Sequence, residues 1–295
     1  MTEHPTRAIL EQACAAVGIS SAQAEVISLG ENAIYRLAPA IVARISRPGQ
    51  LEVARREITV SRWLESTGTP AVRVLGDVDD QPVLIGDRPV TFWHELPPHT
   101  NSSPATVARA LRRLHSLPPP RTGIPTLDPF ARLDRRIDAA TSLNNNDRDW
   151  MRARLDTLRH RWSDTRTGRP LCAIHGDAHD GNIVTASTGE PIIIDLERFS
   201  IGPPEWDLTQ TAVDYKTCGW ISRQRYTEFV DTYGYDVTQA PDFELFRDIR
   251  EFRMTAWLAQ QAAEKPHLRD QARHRVECLR GSHGTRPWTG WKAQY

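Results

Sequence analysis

Strand signals crowd into the first 97 residues of this chain and thin out after Leu96-Pro97-Pro98. Short apolar or alternating runs at 25–29, 33–37, 41–45, 72–74, 81–85 and 90–93 are bounded by turn residues. Gly30-Glu31-Asn32 and Gly86-Asp87 carry hairpin chemistry, because these residue types tolerate positive φ. One amphipathic helix is expected over 51–64, and another over 6–17 with Gly18 just beyond it. Downstream of residue 97 the periodicity turns helical. Ser103-Pro104 pairs an N-cap with proline at the first helical position and opens a helix to about 117. Further helices are expected over 128–140, 147–161, 206–215, 223–233, 243–263 and 268–279. Only 171–175 and 192–196 read as strands in that half. The segregation predicts an α+β chain in two parts, residues 1–97 and 98–295.

Charge and cysteine content narrow the function classes. Thirty-seven basic residues balance thirty-seven acidic ones, so the chain lacks the basic excess of a general nucleic-acid or anionic-membrane binder. Lysine occurs only at Lys216, Lys265 and Lys292, and no Gly-Lys-Ser/Thr exists, which excludes a P-loop. Cys14, Cys172, Cys218 and Cys278 are widely spaced, so a disulfide framework is not expected and a reducing cytoplasm fits best. The first 25 residues lack the features of a signal peptide, and no run approaches eighteen apolar residues.

The richest segment is His175-Gly176-Asp177-Ala178-His179-Asp180-Gly181-Asn182. Asp195 follows Asn182 by thirteen residues and closes the run Pro191-Ile192-Ile193-Ile194. Any one of these residues alone is compatible with a polar turn. Together they supply a base, an amide five residues on, and a carboxylate at the end of an apolar strand. Phosphoryl transfer needs those parts: a carboxylate to orient the attacking hydroxyl, and hard oxygen donors to hold Mg²⁺ against the phosphates. An aspartate ending such an apolar run is costly unless a cation or donors satisfy it.

These residues resemble the aminoglycoside phosphotransferase family, antibiotic kinases with a protein-kinase-like fold. His175-Gly176-Asp177 through Asn182 is similar to the family's H-G-D-x-x-x-x-N loop, and Ile194-Asp195-Leu196-Glu197 to its I-D-x-E segment. Gly202 with Asp207-Leu208 is similar to the G-x-x-x-x-D-L element that follows. The resemblance covers nearly the whole chain. It implies a bilobal fold, with a small mixed N-terminal lobe (1–97) that covers ATP. A larger, mainly helical lobe (98–295) would carry the catalytic loop and acceptor site.

The resemblance also implies roles. Asp177 would be the catalytic base, and Asn182 and Asp195 the Mg²⁺ ligands. His175 would brace the loop, and Asp207 would anchor it from a helix N-terminus. Gly30 and Asn32 lie in the segment that would pass over the phosphates. Arg44 stands where the family carries a phosphate-binding lysine; arginine binds phosphate as a planar fork rather than a point charge. Glu57 would pair with that cation, with Glu52 as the competing choice. Trp93, Glu95 and Leu96 would form the hinge, whose backbone would bind adenine. Asp180 and Glu197 flank the catalytic groups and are the best candidates for contacting a cationic acceptor. The expected reaction moves the γ-phosphoryl group of ATP, with GTP left open, to a hydroxyl of a small molecule such as an aminoglycoside. A metabolite kinase is the alternative.

Two other readings use the same features. His175, Asp177 and His179 would share one face of a strand and could bind a transition metal for hydrolysis. Arg44 in place of lysine could mark a nucleotide-binding regulatory protein without useful catalysis. Trp206, Tyr215, Trp220 and Trp257 read chiefly as helical core, and Arg286-Pro287-Trp288 has no assigned role.

Overall fold

The computed structural model describes residues 5–78, 80–120, 123–163 and 169–293. The outer ends of the two expected parts, 1–4 and 294–295, lie outside the described residues. In chain order the strands are β1 (Glu25–Leu29), β2 (Ala33–Leu37), β3 (Ile41–Ile45), β4 (Val83–Ile85), β5 (Arg88–His94), β6 (His99–Asn101), β7 (Cys172–Ile174), β8 (Ile183–Ala186), β9 (Pro191–Ile193) and β10 (Ser200–Gly202). The helices are α1 (Thr6–Ala16), α2 (Leu51–Ser66), α3 (Pro104–Ser116), α4 (Leu133–Ala139), α5 (Asn145–Ser163), α6 (Glu205–Lys216), α7 (Arg223–Tyr233), α8 (Phe243–Glu264) and α9 (Arg269–Leu279). The chain forms two compact units. One comprises Met1–Ser102, Leu117–Pro125 and Asp180–Ser200; the other comprises Ser103–Ser116, Thr126–His179 and Ile201–Tyr295.

The first unit is built on an antiparallel sheet of order β1-β2-β3-β5-β4. Alternation puts Ala33, Tyr35 and Leu37 of β2, and Ala43 and Ile45 of β3, on the buried face with Leu10, Ala13 and Cys14 of α1. A second sheet of order β6-β8-β9 belongs to the same unit. Where a strand was expected over 72–74, only two isolated bridges form, Val74 to Trp93 and, just before the segment, Ala71 to Ile193. The segment is shared between two sheets, so neither pairing extends into a ladder.

The second unit is mainly helical. Trp206, Phe246, Ile249, Phe252 and Leu258 pack in its largest apolar cluster with Leu133, Ile137, Leu155 and Ile174. Ser103 caps α3 by accepting from the Thr106 N–H at 3.2 Å. The helix expected over 128–140 begins only at Leu133. Asp128 accepts from the Phe130 N–H at 2.9 Å, and that local turn replaces the first helical turn.

Three strands were not expected in this half of the sequence: β6, β8 and β10. They are three or four residues long, too short for alternation to show. The strand expected over 192–196 ends at Ile193. Asp195 takes a left-handed conformation (φ 54°) and a 3-10 turn, Leu196–Arg198, follows.

Candidate active site

In the first unit, β3 and α2 bring Arg44 and Glu57 together. Glu57 is buried and accepts from Arg44 Nη1. Glu52, its competitor, faces solvent and pairs with Arg55 at 2.7 Å. Arg44 Nη2 also lies 3.8 Å from Glu197, which stands in the turn after Asp195. With its amide oxygen turned inward, Asn32 accepts from Arg44 Nε at 3.1 Å and Nη2 at 2.7 Å. Asn32 is fixed by its hairpin turn, where its carbonyl accepts from the Gly30 N–H at 3.1 Å.

The electrostatics of this cluster are lopsided. Burial opposes the Arg44 charge, yet Glu57, Asp195 and Glu197 hold its pKa above the ordinary arginine value. Burial pushes Glu57 up to about 7; Arg44 opposes the rise, while Asp195 and Glu197 add to it. Three carboxylates thus act on Arg44, and one of them, Glu197, also lies 3.7 Å from Arg198. Such an excess of buried negative charge favours a cation, and carboxylate and amide oxygens suit a hard one.

Asn182 and Asp195 sit at the open end of the β8–β9 hairpin. The Ile194 N–H donates to the Asn182 carbonyl at 2.9 Å, which ties the backbone next to Asp195 to Asn182. The neighbouring Asp180 carbonyl accepts from the Ser102 N–H at 3.2 Å. A non-glycine residue at positive φ stores backbone strain, and Asp195 carries it at the expected metal ligand.

The expected hinge lies at the end of β5. Trp93 is buried and donates its indole N–H to Thr91 Oγ1 at 2.8 Å. The Glu95 N–H donates to the Ala40 carbonyl at 2.8 Å, while its carboxylate pairs with Arg36 at 2.6 Å, away from the Arg44 cluster. Leu96 and Ile194 pack against Val184, Ala186 and Ile192.

In the second unit, Asp207 in the first turn of α6 organises the loop that follows β7. It accepts from the His175 N–H at 2.7 Å, the Gly176 N–H at 2.8 Å and His115 Nε2 at 3.1 Å. Burial opposes the Asp207 charge, but the hydrogen bonds from the His115 ring and the His175 backbone N–H hold its pKa below the usual carboxylate range. His175 is buried, and its Nδ1 accepts from the Asp177 N–H at 3.3 Å. Arg250 Nη1 donates to the Asp177 carboxylate at 3.0 Å, and Nη2 to the Gly176 carbonyl at 3.4 Å.

His175, Asp177 and His179 do not lie on a strand, because β7 ends at Ile174. Nor do they form a metal-ligand group among the described residues. Zinc hydrolysis through these three is therefore set aside. Trp206, Tyr215, Trp220 and Trp257 serve packing. Trp206 and Trp257 join the large helical cluster, Tyr215 stacks on Tyr226, and Trp220 donates to the Trp291 carbonyl.

Residues 24–252 match the family model described as the phosphotransferase enzyme family. The chain belongs to that family. It is therefore a phosphotransferase, an enzyme of the kinase type. Solved structures agree on a protein-kinase-like fold. A choline kinase, LicA from Streptococcus pneumoniae, superposes with a TM-score of 0.65 at 14% identity over 94% of this chain and 99% of that one. An aminoglycoside phosphotransferase, APH(3'')-Id from Streptomyces rimosus, gives 0.61 at 21% identity, covering 84% and 98%. The GDP and kanamycin complex of APH(2")-IIia gives 0.64 at 16% identity, covering 94% and 99%. No curated protein sequence matches the chain. Among the phosphotransferase's described residues, no helix is long and apolar enough to cross a membrane.

Sequence reasoning missed two residues that bond to the candidate site residues of this phosphotransferase, Arg250 to Asp177 and His115 to Asp207. The signal for Arg250 was an arginine among Phe246, Ile249 and Phe252 on the apolar face of α8. A charged residue in such a stripe needs a partner, and here it is Asp177.

Proposed function

We propose that this phosphotransferase moves the γ-phosphoryl group of ATP to a hydroxyl of a small molecule in the cytoplasm, the acceptor being an aminoglycoside or a related hydroxylated antibiotic. The observation that carries the reading is the carboxylate-rich cluster around Arg44, with Asp195 held at positive φ beside it. Asn182 and Asp195 would hold Mg²⁺, for which their oxygen donors fit. When bound, the ion neutralises charge on the phosphate oxygens.

The remaining work falls to the chain's own side chains. Arg44, held by Glu57 and Asn32, would bind phosphate oxygens through its guanidinium fork. Gly30 and Asn32 would shape the backbone over the phosphates. The hinge at Trp93, Glu95 and Leu96 would present backbone groups to the base, with Leu96 and Ile194 offering apolar contact. Asp177, oriented by Arg250, would accept the acceptor hydroxyl's hydrogen bond and take its proton as the hydroxyl oxygen bonds to the γ-phosphorus and the bond from that phosphorus to the β–γ bridging oxygen breaks, with ADP leaving. His175 and Asp207 hold that loop in place. Asp180 and Glu197 would contact cationic groups of the acceptor. Four free, buried cysteines support a reducing compartment.

A metabolite kinase acting on an amino alcohol is the second reading, favoured by the likeness to a choline kinase structure. The test incubates the protein with Mg-ATP and a panel of aminoglycosides, other hydroxylated antibiotics and amino alcohols, read by mass spectrometry. A phosphorylated antibiotic absent with Asp177→Ala supports the reading. Phosphorylation of amino alcohols alone moves the assignment to metabolism, and ATP binding without any product points to a regulatory protein.

A further inference from the structure

We infer that the C-terminal end of α9 forms a binding site for a borderline-soft divalent metal of the zinc type, built from His274, Cys278 and His283 and separate from the residues assigned to phosphoryl transfer. One ligand atom from each of the three lies within 4.8 Å of the others. Cys278 Sγ and His274 Nε2 are 3.6 Å apart. With metal–sulfur and metal–nitrogen bonds of about 2.3 and 2.0–2.1 Å, two ligands of one tetrahedral ion lie about 3.6 Å apart. The helix supplies this spacing directly, since residues four apart stack on one face.

The third ligand is positioned by the way the helix ends. Gly281 takes a left-handed conformation, its N–H donates to the Cys278 carbonyl at 3.0 Å, and the Ser282 N–H donates to the Glu277 carbonyl at 2.9 Å. This double bond pattern reverses the chain at the helix terminus. It brings His283 back over α9, where its ring meets the His274 ring edge-on at 4.5 Å between centroids. Glu277 lies 2.9 Å from His283 Nε2 and fixes the ring, as carboxylates do behind metal-bound histidines.

Two further features suit a metal-bound thiolate. The Trp291 indole is buried, and its Nε1 has no hydrogen-bond partner. A Cβ at residue 290 would lie 2.7 Å from His274 Nε2, so Gly290 keeps the space beside that nitrogen open. A nitrogen, nitrogen and sulfur donor set selects zinc, copper or cobalt over magnesium, leaving a fourth position for water beside the exposed His283.

The test titrates Co²⁺ and then Zn²⁺ into untagged full-length protein in excess Mg²⁺, which occupies hard oxygen sites. The expected result is one cobalt per chain, with a thiolate-to-cobalt charge-transfer band and tetrahedral visible absorption, both removed by stoichiometric Zn²⁺. Cys278→Ser should abolish the charge-transfer band. His283→Ala, at an exposed position that leaves the fold intact by circular dichroism, should weaken binding tenfold or more. Absence of a saturable thiolate band in the wild-type protein would overturn the proposal. So would a band and an affinity unchanged by His283→Ala.

Discussion

Arg44 on β3 and Glu57 on α2 form a buried ion pair that joins the sheet of the first unit to its helix. The pair does not stand alone, since Asp195 and Glu197 add negative charge around it.

The surplus of negative charge makes stability depend on pH. The Glu57 carboxyl binds its proton more tightly folded, at about 7, than unfolded, at about 4.3–4.5. The folded state therefore holds more protons between those values, and stability falls as pH rises through the window. A tenfold difference in proton affinity between the two states corresponds to about 1.4 kcal/mol, so the total is a few kcal/mol. Urea denaturation from pH 4.5 to 8 should show this slope in the wild type and lose it in Glu57→Gln. Saturating Mg²⁺ should flatten the wild-type slope, because a cation beside the carboxylates favours their ionised form.

Arg250 should prove a positioning residue for Asp177. Arg250→Lys keeps a charge but cannot reach both Asp177 and the Gly176 carbonyl through a planar fork. Steady-state kinetics should show kcat reduced tenfold or more with the KM for ATP little changed. Asp177→Ala should cost roughly 10²–10⁴ in kcat, the ordinary contribution of a positioned base.

Asp207 should dominate the stability of the second unit. It is fully buried and accepts two backbone N–H bonds and one from His115. Asp207→Ala would leave all three donors unsatisfied, at a cost of about 3–5 kcal/mol in thermal or urea denaturation. Its folded pKa is depressed, so its contribution is present above the unfolded value near 3.8 and is lost as pH falls below it.

Gly202 is a packing glycine. A Cβ there would lie 2.7 Å from Ile174 Cδ1 and 3.1 Å from Leu127 Cβ. Gly202→Ala should destabilise by about 1–3 kcal/mol, read as a lowered melting temperature, with Asp177 chemistry affected only through stability.

The long elements were legible because their signals are local. Residues 33–37 alternate between buried and more exposed positions next to the Gly30-Glu31-Asn32 turn, and α7 (Arg223–Tyr233) lies between the capping Ser222 and the left-handed Gly234. Asp177, Asn182 and Asp195 stood out through spacing. Arg250 and His115 did not, because each acts on a residue more than seventy positions away, and only the fold creates that proximity. The short strands β6, β8 and β10 were illegible for the same reason: their pairing partners define them. Asp128 shows the opposite failure. A local side-chain bond overrode a helical pattern that the sequence displayed.

The segment 70–75 links two parts of the first unit. The Val72 N–H donates to the Ile193 carbonyl at 2.8 Å, and the Ile193 N–H donates to the Pro70 carbonyl at 3.1 Å. Just beyond, the His94 N–H donates to the Arg73 carbonyl at 2.9 Å, and the Leu75 N–H donates to the Phe92 carbonyl at 2.9 Å. One short tether thus grips both the strand that leads into Asp195 and the strand that leads into Leu96. Neither strand can slide without straining a hydrogen bond on the same short segment, so the two ends of the expected nucleotide site share one mechanical reference.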